Sequence, residues 1–146
     1  MVYKLYVETV EKSGDICWSY AFYNHQNFMV YRQFGKSEEK DVCKAVLKVC
    51  ATALKYFDHS IRRRYYDEHF STRIDEDYVT LYTEIPEIAD IANNFKAYNA
   101  FSIGIIGDDK ALWEELVPFF NQRTMLFETA SDNEFIEKGK DLAMKA

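Results

Sequence analysis

The stretch that decides the fold runs from Tyr78 to Ala92 and reads YVTLYTEIPEIADIA. Its first six residues, YVTLYT, are rich in β-branched and aromatic side chains, which is typical of a half-buried strand. Ile88 and Ile91 then recur at helical spacing, and Pro86 suits the first turn of a helix because its missing N–H needs no partner there. Glu84 stands between strand and helix, at the kind of position where α/β proteins build their sites.

The residues before this stretch predict three strands and a helix. The strands alternate apolar and polar residues and are joined by short polar turns, at residues 2–10, 16–23 and 28–34. Ser37 suits the N-cap of a first helix that runs to about Phe57. Residues 58–77 are charged and irregular, so we interpret them as an insertion.

The residues after it continue with helix, strand and helix. Asp108 or Asp109 suits the start of one helix, and residues 124–128 read as a strand. Ser131 to Glu134 has the spacing of a capping box and predicts the start of a final helix. The stretch 101–106 is also β-like, but its glycine counts against a strand.

This order of elements indicates an α/β protein. Three meandering strands, followed by strands that alternate with helices, predict a mixed sheet with helices on both faces. No linker or internal repeat divides residues 1–146, so we expect a single domain. A flavodoxin-like, doubly wound domain is the alternative, because the second half alternates strands and helices.

The charge, the apolar runs and the cysteines of the chain argue against several classes of function. A net charge of -6 argues against a general nucleic-acid coat, since phosphate binding needs clustered Lys and Arg. No apolar run approaches the length of a membrane span, and the N-terminus does not read as a signal peptide. Cys17, Cys43 and Cys50 have no metal-ligand spacing, which suggests reduced thiols and a cytoplasmic protein.

Several short motifs resemble the type 1 ribonuclease H family, over nearly the whole chain. That family has a five-stranded mixed sheet in the order 3-2-1-4-5, so the resemblance implies the same RNase H-like fold here. The similar segments stand in the family's order along the chain: Tyr6-Val7-Glu8-Thr9 for its YTDG, Thr83-Glu84-Ile85 for its TDS, Ala111-Leu112-Trp113 for its LW helix, and Asn133-Glu134 through Asp141-Leu142-Ala143 for its NExxDxLA ending.

The resemblance also implies a chemistry, in which acidic residues hold two Mg²⁺ or Mn²⁺ ions and the RNA strand of an RNA/DNA hybrid is cut. The matching positions for metal ligands here are Glu8, Asp41 and Glu84, with Asp41 early in the first helix. The fourth acidic position falls on Lys140 when the ending is aligned backward, and on Glu137 when it is aligned forward. Both assignments stay open at this point.

The departures from the family pattern are substantial. Each of the three matched acids is exchanged, Asp for Glu or Glu for Asp, and a misplacement near 1 Å can cost about 100-fold in rate. The family's glycine-rich loop after the first strand and its His-bearing loop have no counterpart. Its basic segment is reduced to Lys96, so we expect weak binding of an RNA/DNA hybrid.

Two functions follow. The departures favour a catalytically silent module for binding or scaffolding, with a protein partner, in which the Lys140 ammonium serves as counter-ion to the acids. The alternative is a metal-dependent endonuclease with Glu8, Asp41, Glu84 and, as a fourth acid, Glu137.

Two other features have ordinary structural interpretations. Arg62-Arg63-Arg64 beside Tyr65-Tyr66 could bind nucleic acid, but we interpret the run as a solvated surface. Trp18 and Trp113 fit a core better than a stacking platform.

Overall fold

The computed structural model describes residues 2–64, 77–98, 108–130 and 133–146, with side chains throughout except at 96–98 and 108. The described strands are β1 (Val2–Lys12), β2 (Asp15–Asn24), β3 (Met29–Lys36), β4 (Tyr78–Thr83) and β5 (Thr124–Thr129). The described helices are α1 (Val42–Tyr56), α2 (Pro86–Tyr98), α3 (Asp108–Gln122) and α4 (Glu134–Ala143), with a π-helical turn at Phe57–Ile61 after α1. The β-like stretch 101–106 lies outside the described residues.

The five strands form one mixed sheet in the order β3-β2-β1-β4-β5, as predicted. The central strand β1 is antiparallel to β2 and parallel to β4, and β4 is parallel to β5. Ser13 and Gly14, with φ of 54° and 82°, make the two-residue turn between β1 and β2, because such turns need positive φ at both central residues. The antiparallel β2 and β3 rule out the doubly wound alternative.

The two faces of the sheet are covered unequally. Helices α1, α2 and α3 pack on one face, where the large apolar core includes Leu5, Leu81 and Trp113. Helix α4 packs on the other face, where Ile136 contacts a smaller cluster that includes Tyr6 and Tyr23. We call this second side the α4 face. Trp113 is buried and Trp18 is partly buried against the larger core, so neither is a free stacking platform.

Two helices begin later than the sequence pattern suggested. The Ser37 hydroxyl accepts a hydrogen bond from the Glu39 N–H at 3.0 Å in a turn, and α1 begins only at Val42. The final helix is capped by Asn133, whose side-chain oxygen accepts from two backbone N–H groups of its first turn. In each place the sequence offers more than one residue suited to an N-cap, and the structure uses the last of them, Asp41 and Asn133.

The ends of the predicted insertion are fixed by buried charges. The Nε of Arg62 donates to Oδ2 of Asp77 at 2.8 Å, and both side chains are buried, so the interpretation of Arg62 as solvated is wrong. Arg63 and Arg64 are exposed as expected, and Tyr65 and Tyr66 lie outside the described residues. Asp77 precedes β4 at the end of the sheet opposite to Glu84, so this pair stands far from the acids.

Candidate functional site

The strand register brings two of the predicted acids side by side. β1 and β4 run parallel with Val7 opposite Thr83, the last residue of β4, so the residues that follow them, Glu8 and Glu84, come at the same level. Both lie where the parallel pairing of β1 and β4 ends, just beyond the C-terminal end of β4, and this class of sheet places its sites at that end. Glu8 is opposite Ser19 of β2.

Helix α4 brings a basic residue, Lys140, next to these two acids. Gly139 lies so close to β1 that a Cβ atom there would fall 2.5 Å from Cγ of Glu8. The Ser19 hydroxyl donates to the Gly139 carbonyl at 2.6 Å and holds this contact. One residue further on, Nζ of Lys140 lies 2.9 Å from Oε2 of Glu84, in a pair that is partly open to solvent.

The Glu8 carboxyl is buried without a hydrogen-bond partner in the described part of the chain. It is 1% exposed, and neither carboxyl oxygen has a hydrogen-bond partner among the described residues. Desolvation by burial, reinforced by the Glu84 charge and opposed by Lys140, raises the pKa of Glu8 from 4.5 to about 8. The Glu8 carboxyl is therefore mainly protonated at neutral pH.

An aromatic cluster lies on the α4 face, the same face of the sheet as Glu8. The rings of Tyr6 and Tyr82, on neighbouring strands, stack with centroids 4.5 Å apart. Phe135 of α4 closes over them, 5.3 Å from Tyr6 and 4.3 Å from Tyr23. Burial also raises the pKa of the Tyr6 and Tyr23 hydroxyls, that of Tyr23 to about 12, so these rings stay neutral in the physiological range.

The other two candidate acids are placed differently. Asp41 precedes α1 instead of lying within it, is exposed, and uses its carboxylate as N-cap by accepting from the Lys44 N–H at 3.0 Å. Burial raises the pKa of the neighbouring Cys43 thiol, and the Asp41 charge adds to that effect. Glu137 is exposed in the first turn of α4, whereas Gly139 faces the sheet.

The donors around Glu8 do not fit a pair of divalent cations. Such a pair needs several carboxylate oxygens converging on both ions. Here the described donors are only two, the buried carboxyl of Glu8 and the Glu84 carboxylate, which is already paired with the Lys140 ammonium. No group of three His, Cys, Asp or Glu side chains that could hold a metal ion occurs within the described ranges. The metal-ligand roles of Glu8, Asp41, Glu84 and Glu137 stay predictions.

Two residues of this site, Ser19 and Gly139, were not found from the sequence. A glycine inside a helix is a weak signal of close backbone approach, because glycine is unfavourable there by about 0.5–1 kcal/mol relative to alanine. The sequence offered that signal for Gly139, whereas nothing in the pattern singles out Ser19.

Along the described helices, none has the length and apolar character to cross a bilayer.

Solved structures resemble the whole chain. LC11-RNase H1, from compost and solved with an RNA/DNA hybrid, has a TM-score of 0.67 and 10% identity, covering 99% of this chain and 95% of its own. The N-terminal RNase H domain of a Mycobacterium tuberculosis protein has a TM-score of 0.67 and 7% identity, with coverages of 99% and 94%. The chain has an RNase H-like fold.

A further solved structure shows the same likeness, whereas comparison of the sequence with known families and proteins finds no match. The RNase H1 of Halobacterium salinarum NRC-1 has a TM-score of 0.59 and 8% identity, covering 99% of this chain and 98% of its own. No family model and no curated protein sequence matches the chain. At such low identities the likeness establishes the RNase H-like fold alone, and function has to be argued from the site.

Proposed function

We propose that this RNase H-like chain is a catalytically silent module for binding or scaffolding, in which Lys140 neutralises the acidic site from within. The observation that carries the proposal is the 2.9 Å contact between Lys140 Nζ and Glu84 Oε2, directly beside the buried Glu8. Clustered carboxylates repel one another, and an ammonium within contact distance offsets that repulsion without any added cation.

Protonation of Glu8 supports the same proposal. A carboxyl group whose pKa is about 8 is mainly neutral at pH 7, and a neutral carboxyl is a poor ligand for a hard cation. A divalent ion at this site would have to displace the Lys140 ammonium from Glu84 and a proton from Glu8. Both requirements weaken its binding, so the site retains little affinity for such ions.

The alternative function is a metal-dependent endonuclease that cuts the RNA strand of RNA/DNA hybrids. It is favoured by the carboxyl oxygens of Glu8, which have no partner among the described residues, and by the similarity to structures solved with RNA/DNA hybrid. In this alternative Glu8, Asp41, Glu84 and Glu137 would serve as the acidic set. The net charge of -6 argues against tight binding of any hybrid.

The test is the substitution Lys140→Asp, which removes the ammonium and adds a carboxylate. A Mn²⁺ titration followed by thermal unfolding should raise the melting temperature of the variant but not that of the natural chain. At a Mn²⁺ concentration of 100 times Kd, the variant should gain about 2.7 kcal/mol, or roughly 5–10 °C. Lys110→Asp, on an exposed position of α3, controls for the change in charge.

Two outcomes would contradict the proposal. The first is a rise in melting temperature with Mn²⁺ that is equally large in the natural chain and in Lys140→Asp. The second is Mg²⁺- or Mn²⁺-dependent cleavage of a labelled RNA/DNA hybrid by the natural chain that disappears in Glu84→Gln.

Binding of the hybrid is a separate measurement. Fluorescence anisotropy should show only weak hybrid binding at about 150 mM salt, and submicromolar affinity would favour the nuclease.

A further inference from the structure

A basic cleft lies between the edge strand β3 and helix α4, away from the acidic site. Its volume is about 420 Å³. Four of its residues form one stripe of the C-terminal part of the chain, at spacings of three and four, and two come from β3. The lining consists of Lys138, Asp141, Leu142 and Lys145, with Met29 and Arg32.

The charge of the β3/α4 cleft is opposite to that of the chain. Three cationic side chains and one carboxylate line it, whereas the whole chain carries a net charge of -6. In the part of the chain that the structure describes, Arg32, Lys138 and Lys145 form no ion pair, although the Lys138 ammonium lies 5.9 Å over the Phe135 ring. The cleft therefore presents positive charge that is available to an acidic ligand.

The strand beside the cleft is exposed and apolar. Within the described sheet, β3 pairs with β2 on one side and has no strand on the other. Phe28, just before it, is 65% exposed, and Val30 and Phe34 are each 40% exposed. Natural proteins usually protect edge strands, because their free N–H and C=O groups can pair with another chain.

Part of this edge keeps regular strand geometry. Phe22 and Tyr23 of β2 are opposite Tyr31 and Met29, which leaves Val30 as an extra residue in a bulge. From Tyr31 to Lys36 the register is continuous. A further strand can therefore pair with this continuous half of β3.

The two faces of β3 differ in charge. Arg32 is opposite Ala21 and Phe34 is opposite Ser19, so both lie on the α4 face, next to the cleft. Tyr31 lies on the other face, where its ring stacks on Tyr56 at 3.7 Å. A strand added to β3 would meet cations on one face and an aromatic pair on the other. That pattern suits alternating acidic and β-branched residues.

We propose that the edge of β3 binds an extended acidic segment of a partner protein by strand addition, with its carboxylates directed at Arg32, Lys138 and Lys145. Backbone pairing supplies affinity in this mode of recognition, and alternate side chains supply specificity. A second copy of this chain is a poor occupant, because β3 (Met29–Lys36) contains no acidic residue that could meet the cations of the cleft. Nucleic acid would use the cations but neither the strand edge nor the exposed apolar residues.

The test uses a capped, fluorescein-labelled octapeptide of alternating Glu and Val, with a Lys–Val octapeptide and a single-stranded oligothymidylate as comparison probes. We expect the Glu–Val peptide to bind and to shift the amide NMR signals of 31–36 and 138–145. The double variant Arg32→Glu, Lys145→Glu should weaken binding by about tenfold, whereas Lys110→Glu on α3 should not. All the substituted side chains are exposed, and thermal unfolding checks that each variant is folded.

Strand addition also predicts which backbone N–H groups of the peptide are needed for binding. Because only alternate residues of an added strand pair with its neighbour, N-methylation at one set of alternate positions should abolish binding, and at the other set should not. Equal loss from both sets would contradict strand addition. Absence of any shift at millimolar peptide, or equal binding of the Lys–Val peptide, would overturn the proposal. Preference for oligothymidylate would overturn it in favour of a phosphate-binding cleft.

Discussion

Glu8→Gln gives the most direct measure of the electrostatics of the acidic site. The carboxyl of Glu8 is buried against Gly139 and loses its proton only near pH 8. Glutamine has nearly the same shape and stays neutral at every pH. The substitution therefore removes the titration of Glu8 and leaves the Glu84–Lys140 ion pair in both proteins.

The sign of the effect follows from the raised pKa. Below its ordinary value of 4.5, the Glu8 carboxyl is protonated in the folded and the unfolded chain, and it contributes no pH dependence. Between 4.5 and about 8, the unfolded chain releases the proton while the folded chain keeps it, so the free energy of unfolding falls as pH rises. Each pH unit in this window corresponds to about 1.4 kcal/mol, so the full loss is about 4–5 kcal/mol.

The assay is urea unfolding of the natural chain and Glu8→Gln in parallel, from about pH 5 to pH 8.5. The free energy of unfolding of the natural chain, minus that of the variant, should fall steadily with pH across this range. Glu137→Gln, at an exposed carboxylate of the same helix as Lys140, controls for the exchange of Glu for Gln. A difference that stays constant with pH would refute the raised pKa and the neutral state of Glu8.

Two further substitutions test the contacts around the site. Gly139→Ala should destabilise the chain by about 1–3 kcal/mol in urea unfolding, because its Cβ would meet Cγ of Glu8, whereas a gain from helix propensity would contradict this packing. Asp41→Ala should lose about 1 kcal/mol through the missing N-cap and leave any Mn²⁺ response unchanged, while Asp41→Asn keeps the cap. A Mn²⁺ response that changes in Asp41→Ala would place Asp41 at the metal instead.

The sheet and part of the site could be predicted because they follow from the order of elements. Three meandering strands and a right-handed crossover leave β1 in the centre beside β4. Parallel pairing then puts Glu8 and Glu84, which follow the last paired residues of the two strands, at one level. These are consequences of topology, so they need no knowledge of side-chain packing.

The rest depends on tertiary contacts that a local pattern does not contain. Ser37 and Asp41 both suit an N-cap, and the local pattern does not show that Asp41 is the one used. A run of three arginines reads as solvated, yet Arg62 is buried because Asp77, distant in sequence, accepts its hydrogen bond. The contact of Gly139 with Glu8 joins the two ends of the chain, and no spacing within either end predicts it.

The buried pair of Arg62 and Asp77 has a consequence for how the sequence can change. The ion pair holds Arg62 and Asp77, which are 15 residues apart in sequence, in direct contact at 2.8 Å. Doubling the length of a closed loop adds only about 0.6 kcal/mol of chain entropy. A change in the number of residues between Arg62 and Asp77 should therefore cost little, and it should leave Glu8, Glu84 and Lys140, at the opposite end of the sheet, in their arrangement.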